Sequence, residues 1–574
     1  MFYLIICVFF SQIACYSQIN NKFSNTEEVP KEFVYVHFNK ELLFTGENVY
    51  YSVYCLNSLT NKLSDMSKIA YVELIGEDGV KLFTHKIRLI NGRGQGDFKI
   101  PINVTSGNYK LIGYTQWMKN SKGEDFFKND ITILNPYNSD QKIFSFEIKN
   151  KNVNEIKNIR SLDNLTSKEL KVKIEKEIFK SRSKASISLL NTKKHKINIS
   201  LSVRKIDDID LLQQRQLTTG FFFKEKKTTS KSYKEITFYP ELRGELISGV
   251  LLSETDNKPL GNENVSLSIP QKDFILKVSK TNNEGRFYFN INENYVSNKA
   301  MFQILGNTNK KTKIIFDKFL NENLKINFGK FKISKKYNKH ILKRSIYNQI
   351  ENEYIEVKQD SLIEQKKDKP FFGNYDKVYK LEDYNRFSTV KEVFVEIIKD
   401  ASIITNDNDK LDFYIKSLNP YKNKKQKIAV IIDGVLLEDY STLLSFSAKK
   451  INKISLKRTN EELVYGNQLF DGFLVFETYN NDFVFNNVKG LNVVKLFRPE
   501  LDKKYFQKKY FNNSNQRIPD YRSQLLWVPK IEFDNSELSF DFFTSDNIGK
   551  FEINIEGFTE AGNPISIRKY FIVE

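Results

Sequence analysis

The side chains that could do chemistry in this sequence are few and widely spaced. Its four histidines, His37, His85, His195 and His340, fall in separate predicted segments, so no metal-binding pair is predicted. The sequence contains no Cys-x-x-Cys, His-Glu-x-x-His or Gly-x-Ser-x-Gly motif. We therefore interpret each histidine as a surface or edge residue, and we predict no catalytic residue, no metal and no cofactor.

Cysteine usage points to structure rather than to chemistry. Cys7 and Cys15 fall in the N-terminal apolar run, so Cys55 alone remains in the predicted mature chain, and no internal disulfide is predicted. A lone cysteine at a strand-like position is typically a small buried apolar residue.

Two motifs resemble ligand loops but lack the residues that such loops need. The stretch NDNDKLD carries Asp407, Asp409 and Asp412, yet a calcium loop that begins at Asp407 would need Gly at position 412 and Glu at position 418, where the chain has Asp412 and Leu418. The glycine-rich run 91–96 leads into a strand rather than a helix. Both motifs are therefore interpreted as turns.

Composition indicates a folded, β-rich chain of several domains. The 574 residues include 47 Phe and 29 Tyr, and the length predicts three to five domains. The formal net charge is +19, with basic clusters at 335–344, 422–427 and 503–509. None of them carries a nucleic-acid motif, so the charge is interpreted as a general Lys and Asn bias, with an acidic membrane surface as the alternative partner.

The N-terminus predicts export. Residues 1–17, MFYLIICVFFSQIACYS, form an apolar run followed by small and polar residues, although no Lys or Arg precedes the run. Cleavage is predicted after Ser17, and the alternative is a lipoprotein acylated at Cys15. No later segment reaches the ~20 apolar residues that a membrane-spanning helix needs.

The first predicted domain is a β-sandwich. Alternating apolar residues and turns about every ten residues over 32–118 are typical of that fold. The stretch resembles the MG2 module of α2-macroglobulin-like proteins, and the match rests on Tyr35, Lys40, Phe44, Gly46, Glu47, Val49, Gly79, Gly96, Phe98, Pro101, Ser106, Gly107, Asn108, Tyr109, Tyr114, Thr115, Gln116, Trp117 and Met118. It implies that Tyr109 and Trp117 lie in the last strands and close the core.

Two further sandwiches are expected next. Alternating runs at 170–174, 185–190 and 197–203 indicate a second sandwich of macroglobulin type. Residues 242–290 resemble the carboxypeptidase-regulatory-like domain, on the strands at 244–250 and 265–269 and on Glu284-Gly285 before Phe287. In receptors of the Bacteroidota type this module often precedes a plug domain.

Two helices follow. Leu342, Ile346, Ile350 and Tyr354 recur every four residues over 338–366 and predict one buried apolar face. Thr389 with Glu392 forms a capping box, which begins a second helix with the stripe Val390, Val393, Phe394, Ile397 and Ile398. That stripe is expected to pack on a neighbouring sheet.

Residues 429–479 resemble the plug domain of TonB-dependent outer-membrane receptors. The resemblance rests on Ile432, Asp433, Gly434, Val435, Ile451, Ile454, Tyr465, Gly466, Asp471, Gly472 and Phe473. In that family the plug sits in a barrel of about 22 strands. Only 95 residues follow Tyr479, so the plug-like module is expected to work without a barrel. Asp433-Gly434, Tyr465-Gly466 and Asp471-Gly472 are predicted to be turns.

The predicted architecture is mainly β and multidomain, with tandem β-sandwiches, an α+β plug-like domain and a helical connector. Strands at 537–543, 551–558 and 565–573 are too few for a full sandwich, so they are expected to complete a sheet begun elsewhere. The boundaries are a signal peptide at 1–17, sandwiches at 18–138, 139–238 and 239–335, the connector at 336–370, the plug-like domain at 371–495 and a C-terminal β segment at 496–574.

The expected function is that of an exported, non-enzymatic scaffold or binding protein in the periplasm or at the outer membrane, associated with a transport or secretion complex there as the plug resemblance implies. Its expected partners are envelope proteins of an outer-membrane complex, which are expected to contact the predicted loops 438–447 and 458–467. Charge reversal at Lys457, Arg458, Glu461 and Glu462 is expected to weaken that complex. The alternative is a protease-binding protein of macroglobulin type with a bait segment at 208–231. Cys55 is followed by Leu56 and Asn57, so the Cys-Gly-Glu-Gln thioester motif of that family is absent.

Overall fold

The fold is known from a computed structural model of the chain. The structure describes residues 30–138, 144–145, 165–210, 216–226, 233, 236–271, 273–306, 310–317, 324–329, 333–363, 372–405, 411–416, 427–465, 468–510, 517–534 and 537–574. Within these ranges the protein is mainly β and is built from several sandwiched sheets, as the sequence predicts. The signal peptide at 1–17 lies outside the described residues.

The first sandwich holds eight strands in two sheets. They are β1 (Glu32–Phe38), β2 (Leu42–Phe44), β3 (Asn48–Asn57), β4 (Ile69–Gly76), β5 (Lys81–Arg88), β6 (Arg93–Lys99), β7 (Gly107–Tyr114) and β8 (Phe127–Leu134). One sheet has the order β1-β3-β6, and the facing sheet has the order β2-β8-β7-β4-β5. Asn91 and Gly92 both have positive φ and form the predicted turn before β6.

Trp117 and Tyr109 are both buried in this sandwich, as expected. Tyr109 lies in β7, but Trp117 begins a short 3-10 helix, Trp117–Ser121, rather than a strand. The chain leaves β7 here, and the indole Nε1 donates to the carbonyl of Pro30, just before β1, at 3.0 Å. The tryptophan therefore closes the core from a turn and fixes the entry into the first strand.

The second sandwich begins with the strands that alternation predicts. The elements of this region are β9 (Phe144–Ser145), β10 (Leu170–Ile174), β11 (Ile178–Phe179), β12 (Lys184–Asn191), β13 (Ile197–Lys205) and α1 (Thr219–Lys226). In β12 every second residue is buried, which is typical of an outer sheet. All nine residues of β13 are buried, so its sheet is covered on both faces.

A third sandwich follows. Its strands are β14 (Glu245–Ser253), β15 (Asn264–Ile269), β16 (Ile275–Lys280), β17 (Arg286–Ile291), β18 (Lys299–Ile304) and β19 (Thr312–Phe316), and β20 (Ile333–Ser334) lies beyond them. One sheet has the order β17-β14-β19, and the other contains β16-β15-β18. Strand β20 pairs in parallel with β9, far back in the sequence.

The connector helix α2 (Asn338–Glu353) is shorter than predicted and faces the other way. Leu342 and Ile346, the centre of the predicted buried face, are 62% and 45% exposed. The buried residues are Ile341, Arg344 and Ser345. Polar contacts hold this helix in place, so the inner face predicted from the spacing of apolar residues is wrong. The chain continues through a 3-10 turn, Ile355–Val357, to β21 (Ser361–Leu362).

The region for which a plug-like domain is predicted, here called the module, contains a five-stranded sheet covered by helices on one face. Its elements are β22 (Lys377–Lys380), α3 (Val390–Glu396), β23 (Ala401–Thr405), β24 (Leu411–Ile415), β25 (Ile428–Ile432), β26 (Val435–Leu437), α4 (Ser441–Leu444), β27 (Ile451–Tyr465) and β28 (Gln468–Thr478). The sheet order is β22-β27-β28-β25-β26. Thr389 Oγ1 accepts from Glu392 N at 3.3 Å, which confirms the predicted helix start.

The apolar stripe of α3 packs on this sheet, as predicted: Val390, Val393, Phe394, Ile397 and Ile398 share one core cluster with the inner residues of β25 and β28. The opposite face of the sheet packs on the third sandwich through Ala429, Ile431, Phe473, Val475 and Leu276. The module is therefore the middle layer between helices and a sandwich.

Gly434 lies where the module packs closely against the third sandwich. Its φ is +83°, and an added Cβ would lie 2.5 Å from Phe274 Cβ and 3.3 Å from Pro270 Cα. We expect Gly434→Ala to lower the free energy of unfolding by roughly 2–4 kcal/mol, from backbone strain plus overlap. Gly373 also has a φ of +83° but has nothing within 4 Å. Gly373→Ala should therefore cost only about 1 kcal/mol, and equal effects in urea unfolding would contradict the overlap.

After the module the chain returns to the third sandwich, the connector and the second sandwich in turn. The returning strands are β29 (Leu491–Lys495), β30 (Lys503–Lys504), β31 (Gln524–Phe533), β32 (Glu537–Phe543), β33 (Gly549–Thr559) and β34 (Pro564–Val573). Strand β29 pairs with β18 of the third sandwich, and β30 pairs with β21. The last four strands enter the two sheets of the second sandwich, β10-β12-β32 and β11-β34-β33-β13-β31. They complete sheets begun more than 300 residues earlier in the chain, as expected.

The first two sandwiches stack as four layers of sheet. Sheet β1-β3-β6 has the first core on one face and the second sandwich on the other, because Ser52 of β3 donates to the Pro529 carbonyl of β31 at 2.7 Å. All seven residues of β1 are consequently buried. A fully buried ion pair, Lys86 to Glu245 at 2.5 Å, joins the first sandwich to the third. Among the described residues no helix is long and apolar enough to cross a membrane.

Candidate binding site

A cavity of about 890 Å³ opens where the first sandwich, helix α2 and the second sandwich meet. Its walls come from the turn after β2, the cavity-facing side of α2, the segment from Ile355 to Leu362, the chain around Lys503 to Phe506, and the start of β31. The lower edge is formed by the ends of β13 and β33. Segments from both halves of the sequence therefore build a single site.

The turn at Gly46-Glu47 holds helix α2 in the cavity wall. Gly46 has a φ of +88°, and an added Cβ would lie 2.7 Å from Nδ2 of Asn352 on the helix. Glu47 accepts two hydrogen bonds from the Arg344 guanidinium, both at 2.9 Å. Burial alone would raise the pKa of Glu47, but Arg344 and Lys40 lower it to about 2. Both predicted motif residues thus dock the helix by shape and charge.

Arg344 reaches a second carboxylate, and it has a third partner on the first sandwich. Its Nη1 lies 2.9 Å from Asp210, and its Nη2 donates to the Leu42 carbonyl at 3.0 Å. The guanidinium therefore connects α2 to two sandwiches. This buried network explains why the helix orients a polar side inward.

Aromatic rings form the back of the cavity. Tyr50 stacks on Trp527 with ring centroids 6.2 Å apart, and Tyr505 meets Tyr50 edge-on at 5.0 Å. On the helix side Tyr347 stacks on Tyr521 at 4.0 Å. The buried Nε1 of Trp527 has no hydrogen-bond partner among the described residues. Such a wall provides rigid, amphipathic contact area for a ligand.

Lysine and arginine outnumber aspartate and glutamate on the cavity lining by nine to six. Four of the six acids are already in ion pairs: Glu47 with Arg344, Asp97 with Lys503, Asp207 with Lys205, and Glu351 with Lys358. The three cations that form no ion pair with a described residue are Lys339, Lys343 and Lys550, and all three are exposed. The two acids that form no ion pair with a described residue are Asp208 and Asp360, so the lining keeps an excess of positive charge.

One contact in the cavity has the residue types of a nucleophile and a base. Lys40 Nζ donates to Ser523 Oγ at 2.6 Å, and burial lowers the pKa of Lys40. Glu47 lies 3.5 Å from the same ammonium and favours its charged form. While Glu47 holds Lys40 as an ammonium, Lys40 donates to Ser523 and cannot accept its proton, which is the arrangement of a structural bridge.

His37 is buried in the layer behind the cavity, contrary to its interpretation as a surface or edge residue. Strand β1 lies in the middle of the stack, so this side chain faces the second sandwich. Its Nδ1 contacts Ser200 Oγ at 2.5 Å, and its Nε2 lies 3.2 Å from Asn554 Nδ2. Burial, with Arg568 and Arg204 nearby, lowers the pKa of His37 to about 3.

This buried histidine predicts acid sensitivity. The unfolded side chain has a pKa of about 6.5, so between pH 6.5 and 3 the unfolded chain binds more protons and the free energy of unfolding falls as pH falls. From pH 6.5 to 4.5 the loss is expected to be roughly 2–3 kcal/mol. Urea unfolding at several pH values measures it.

Glu241 has the opposite effect on the pH dependence of stability, so the experiment needs a control that keeps Glu241. Burial raises its pKa from 4.5 to about 7, so the stability that it contributes is present below pH 4.5 and is lost as pH rises to 7. The measurement is therefore the pH dependence of the parent chain compared with His37→Gln, which keeps the Glu241 contribution. Identical slopes in the two proteins would contradict the assignment to His37.

The remaining residues singled out from the sequence are placed as follows. His85 is half-buried beside Tyr51, His195 is exposed, and His340 lies on the cavity rim. Cys55 is buried, as predicted. Asp412 lies in β24 and not in a turn, because it pairs with Ile404 across that hairpin. Asp407 and Asp409 lie outside the described residues, and the described residues hold no acidic, histidine or cysteine cluster able to bind a metal.

Asp433 and Gly434 form the predicted turn, and both have positive φ. Asp433 does not bond the backbone of its own turn. Its carboxylate accepts from Thr478 N and Oγ1, both at 2.8 Å, and from Phe483 N at 3.3 Å. The aspartate therefore ties this turn to the end of β28, which is a structural role.

The other predicted turns of the module differ from the structure. Asp471 and Gly472 lie inside β28, where Gly472 leaves room for Ile415 and for the Lys457 carbonyl. Tyr465 ends β27, and Gly466 lies outside the described residues. The predicted loop 458–467 is strand up to Tyr465, because pairing with β28 resumes after an irregularity between Arg458 and Leu463.

Two of the proposed partner-binding residues already have partners within the chain. Lys457 lies 3.0 Å from Asp376, and Arg458 lies 3.6 Å from Asp400. The side chains of Glu461 and Glu462 lie outside the described residues. In the other predicted loop, Glu438 accepts from Gly306 N at 2.8 Å and so faces the third sandwich.

None of the cavity residues Lys339, Lys343, Tyr347, Trp527 and Lys550 is predicted from the sequence to bind a partner. Two of the three basic clusters contribute to the cavity, through Lys343 and Lys503, so the signal was present. From the sequence these clusters are interpreted as part of a general Lys and Asn bias, because nothing in the local sequence shows that 335–344 and 503–509 meet in space. The described part of the predicted bait segment is partly buried: Thr219 and Phe222 pack between the first two sandwiches, whereas Phe221 is exposed.

Comparisons with known proteins identify no family for this chain. No protein-family model and no curated protein matches it. Solved structures that overlap with it include Escherichia coli alpha-2-macroglobulin activated by porcine elastase, at 9% identity and a TM-score of 0.24, over 95% of this chain and 44% of that one. Salmonella alpha-2-macroglobulin reacted with methylamine overlaps at 7% identity and a TM-score of 0.23, over 96% and 40%.

The Escherichia coli adhesin FdeC overlaps at 8% identity and a TM-score of 0.14, over 30% of this chain and 46% of that one. The chain thus spans less than half of each of these structures. Scores this low carry no conclusion about what the chain binds, and the site must be interpreted from its own residues.

Proposed function

We propose that this chain is an exported, non-enzymatic binding protein of the cell envelope, and that it holds a protein partner in the cavity between its first two sandwiches. The main support for this proposal is the charge of that cavity. Most of its acidic side chains form ion pairs, whereas Lys339, Lys343 and Lys550 form none with a described residue. The volume of about 890 Å³ lies in the range of ligand sites in proteins. Export rests on the apolar run at residues 2–10.

Rigidity supports a binding role. The Arg344 and Glu47 network fixes one wall, and buried ion pairs such as Arg204 with Glu41 and Glu552 fix the sandwiches that form the others. A preformed site loses less conformational entropy on binding than a mobile one. The macroglobulin-like and plug-like resemblances remain part of this proposal, as the reason to look for the partner in the envelope.

Site-specific photocrosslinking in intact envelopes tests the function. Lys343 is exposed on the rim and is replaced by p-benzoylphenylalanine. The matched control carries the same replacement at Lys391, an exposed lysine on helix α3 that does not line the cavity. We expect one defined adduct from position 343 and none from position 391. Equal adducts from both positions, or none from position 343, would refute the cavity as the partner site.

A fluorophosphonate probe tests the non-enzymatic part. If Lys40 is an ammonium that only donates to Ser523, the hydroxyl has no base and the probe should leave Ser523 unlabelled near neutral pH. Stoichiometric labelling at Ser523, lost in Lys40→Met, would show that the pair is an active nucleophile and base.

A further inference from the structure

The cavity carries apolar side chains as well as charge. Ile355 and Leu362 both line it and remain 40% and 56% exposed. They lie on the segment that crosses from α2 to β21, on the helix side of the cavity. Exposed aliphatic side chains beside aromatic rings favour a ligand that has apolar groups of its own.

Two of the three positive charges without an ion pair to a described residue lie on the same side. Lys339 and Lys343 stand one helical turn apart on α2, and Lys550 lies across the cavity at the start of β33. Since no described carboxylate pairs with any of them, an incoming anion would displace no internal ion pair. Charge complementarity therefore selects an acidic ligand.

Combined, these two observations distinguish between acidic macromolecules. An anionic glycan would satisfy the lysines but would leave Ile355 and Leu362 against hydroxyl groups. A polypeptide with acidic and aliphatic side chains satisfies both sets. We propose, on the basis of the proposed function, that the partner inserts an acidic polypeptide segment into the cavity. The Asp or Glu side chains of that segment contact Lys339, Lys343 and Lys550, and its aliphatic side chains pack against Ile355 and Leu362.

Fluorescence anisotropy with the full chain and defined probes tests this proposal. The probe is a short fluorescein-labelled peptide of alternating Glu and Leu, compared with a Gln and Leu counterpart and with a labelled polygalacturonate oligomer. We expect the Glu-Leu peptide to bind best, and its affinity to fall as salt screens the lysines. Equal binding of the Gln-Leu peptide would overturn the role of charge.

Variants locate the contact. The double variant Lys339→Glu and Lys343→Glu should weaken Glu-Leu binding by roughly tenfold or more, and Ile355→Ser with Leu362→Ser by several-fold. Lys391→Glu is the charge control. Leu342→Ser is the apolar control, since Leu342 is exposed on the same helix but does not line the cavity. Circular dichroism and thermal unfolding confirm that each variant is folded.

The outcomes separate this inference from the proposed function. Polygalacturonate that binds as well as the peptide, and depends on the lysines but not on Ile355 and Leu362, would replace the polypeptide by a glycan and leave the cavity as the site. If Leu342→Ser weakens peptide binding as much as the Ile355→Ser and Leu362→Ser pair does, the segment binds on the outer face of α2 and not in the cavity. If neither probe binds while the photocrosslinker at position 343 still yields its adduct, only the ligand class is refuted.

Discussion

Trp117→Ala is expected to lower the free energy of unfolding of the first sandwich by about 3–5 kcal/mol, the range for removal of a buried aromatic ring. Trp117 is 2% exposed, and its ring meets Tyr233 edge-on at 5.1 Å. The variant also loses the hydrogen bond to the Pro30 carbonyl, so the start of β1 is released together with the core. Urea unfolding followed by Trp527 fluorescence measures the loss, because the chain contains only two tryptophans.

Trp117→Phe separates the two contributions. It keeps most of the ring contacts and removes the Nε1 donor, so it should cost less than the alanine variant, about 1–2 kcal/mol. If both variants unfold at the parent urea concentration, Trp117 does not contribute to the core, and its burial has no energetic consequence.

Arg344→Ala is expected to lower the free energy of unfolding by about 3–5 kcal/mol as well, because it breaks a buried ion-pair network. The substitution leaves Asp210 buried without this cation, and it leaves Glu47 with only the Lys40 ammonium, 3.5 Å away. It also removes the contact of the guanidinium with the Phe44 ring, 4.7 Å from the ring centroid. We expect helix α2 to detach first, which limited proteolysis after residue 338 would report before global unfolding.

Compensation is the sharper test of this network. Combining Arg344→Met with Glu47→Gln removes one charge of each sign, so the pair should be less destabilising than the sum of the two single variants. Lys343→Ala, one position away but exposed, should change stability by less than about 0.5 kcal/mol. Additive losses in the double variant would show that Arg344 and Glu47 do not act together.

Local patterns predicted the elements whose causes are local. The capping box at Thr389, the turn at Asn91-Gly92 and the alternation in β12 each depend on neighbours a few residues away, and all three are in the structure. The burial of Cys55 followed for the same reason, because a strand in a β-rich chain has an inner face. Mainly β, multidomain architecture was predictable on this basis.

The candidate site was not predictable, because its causes are remote. The orientation of α2 depends on a carboxylate 297 positions away, at Glu47, which outweighs the apolar spacing of Leu342 and Ile346. The burial of His37 depends on a strand at 549–559 that covers the outer face of β1. Charge clusters were visible, but only the fold brings Lys343 and Lys503 to one cavity.

The return of the chain through its own domains has a consequence for synthesis. Ile197 pairs with Thr559, 362 residues later, so β13 has no neighbour on that side while the intervening domains are being made. Contacts of such sequence separation form slowly, because a long loop must close first. An unpaired strand with an apolar face, here Ile197, Ile199, Leu201 and Val203, is meanwhile a template for wrong pairing. We expect the nascent chain to depend on a holding chaperone until its last 50 residues emerge, and a chain stopped before residue 524 to aggregate although its third sandwich and module are complete.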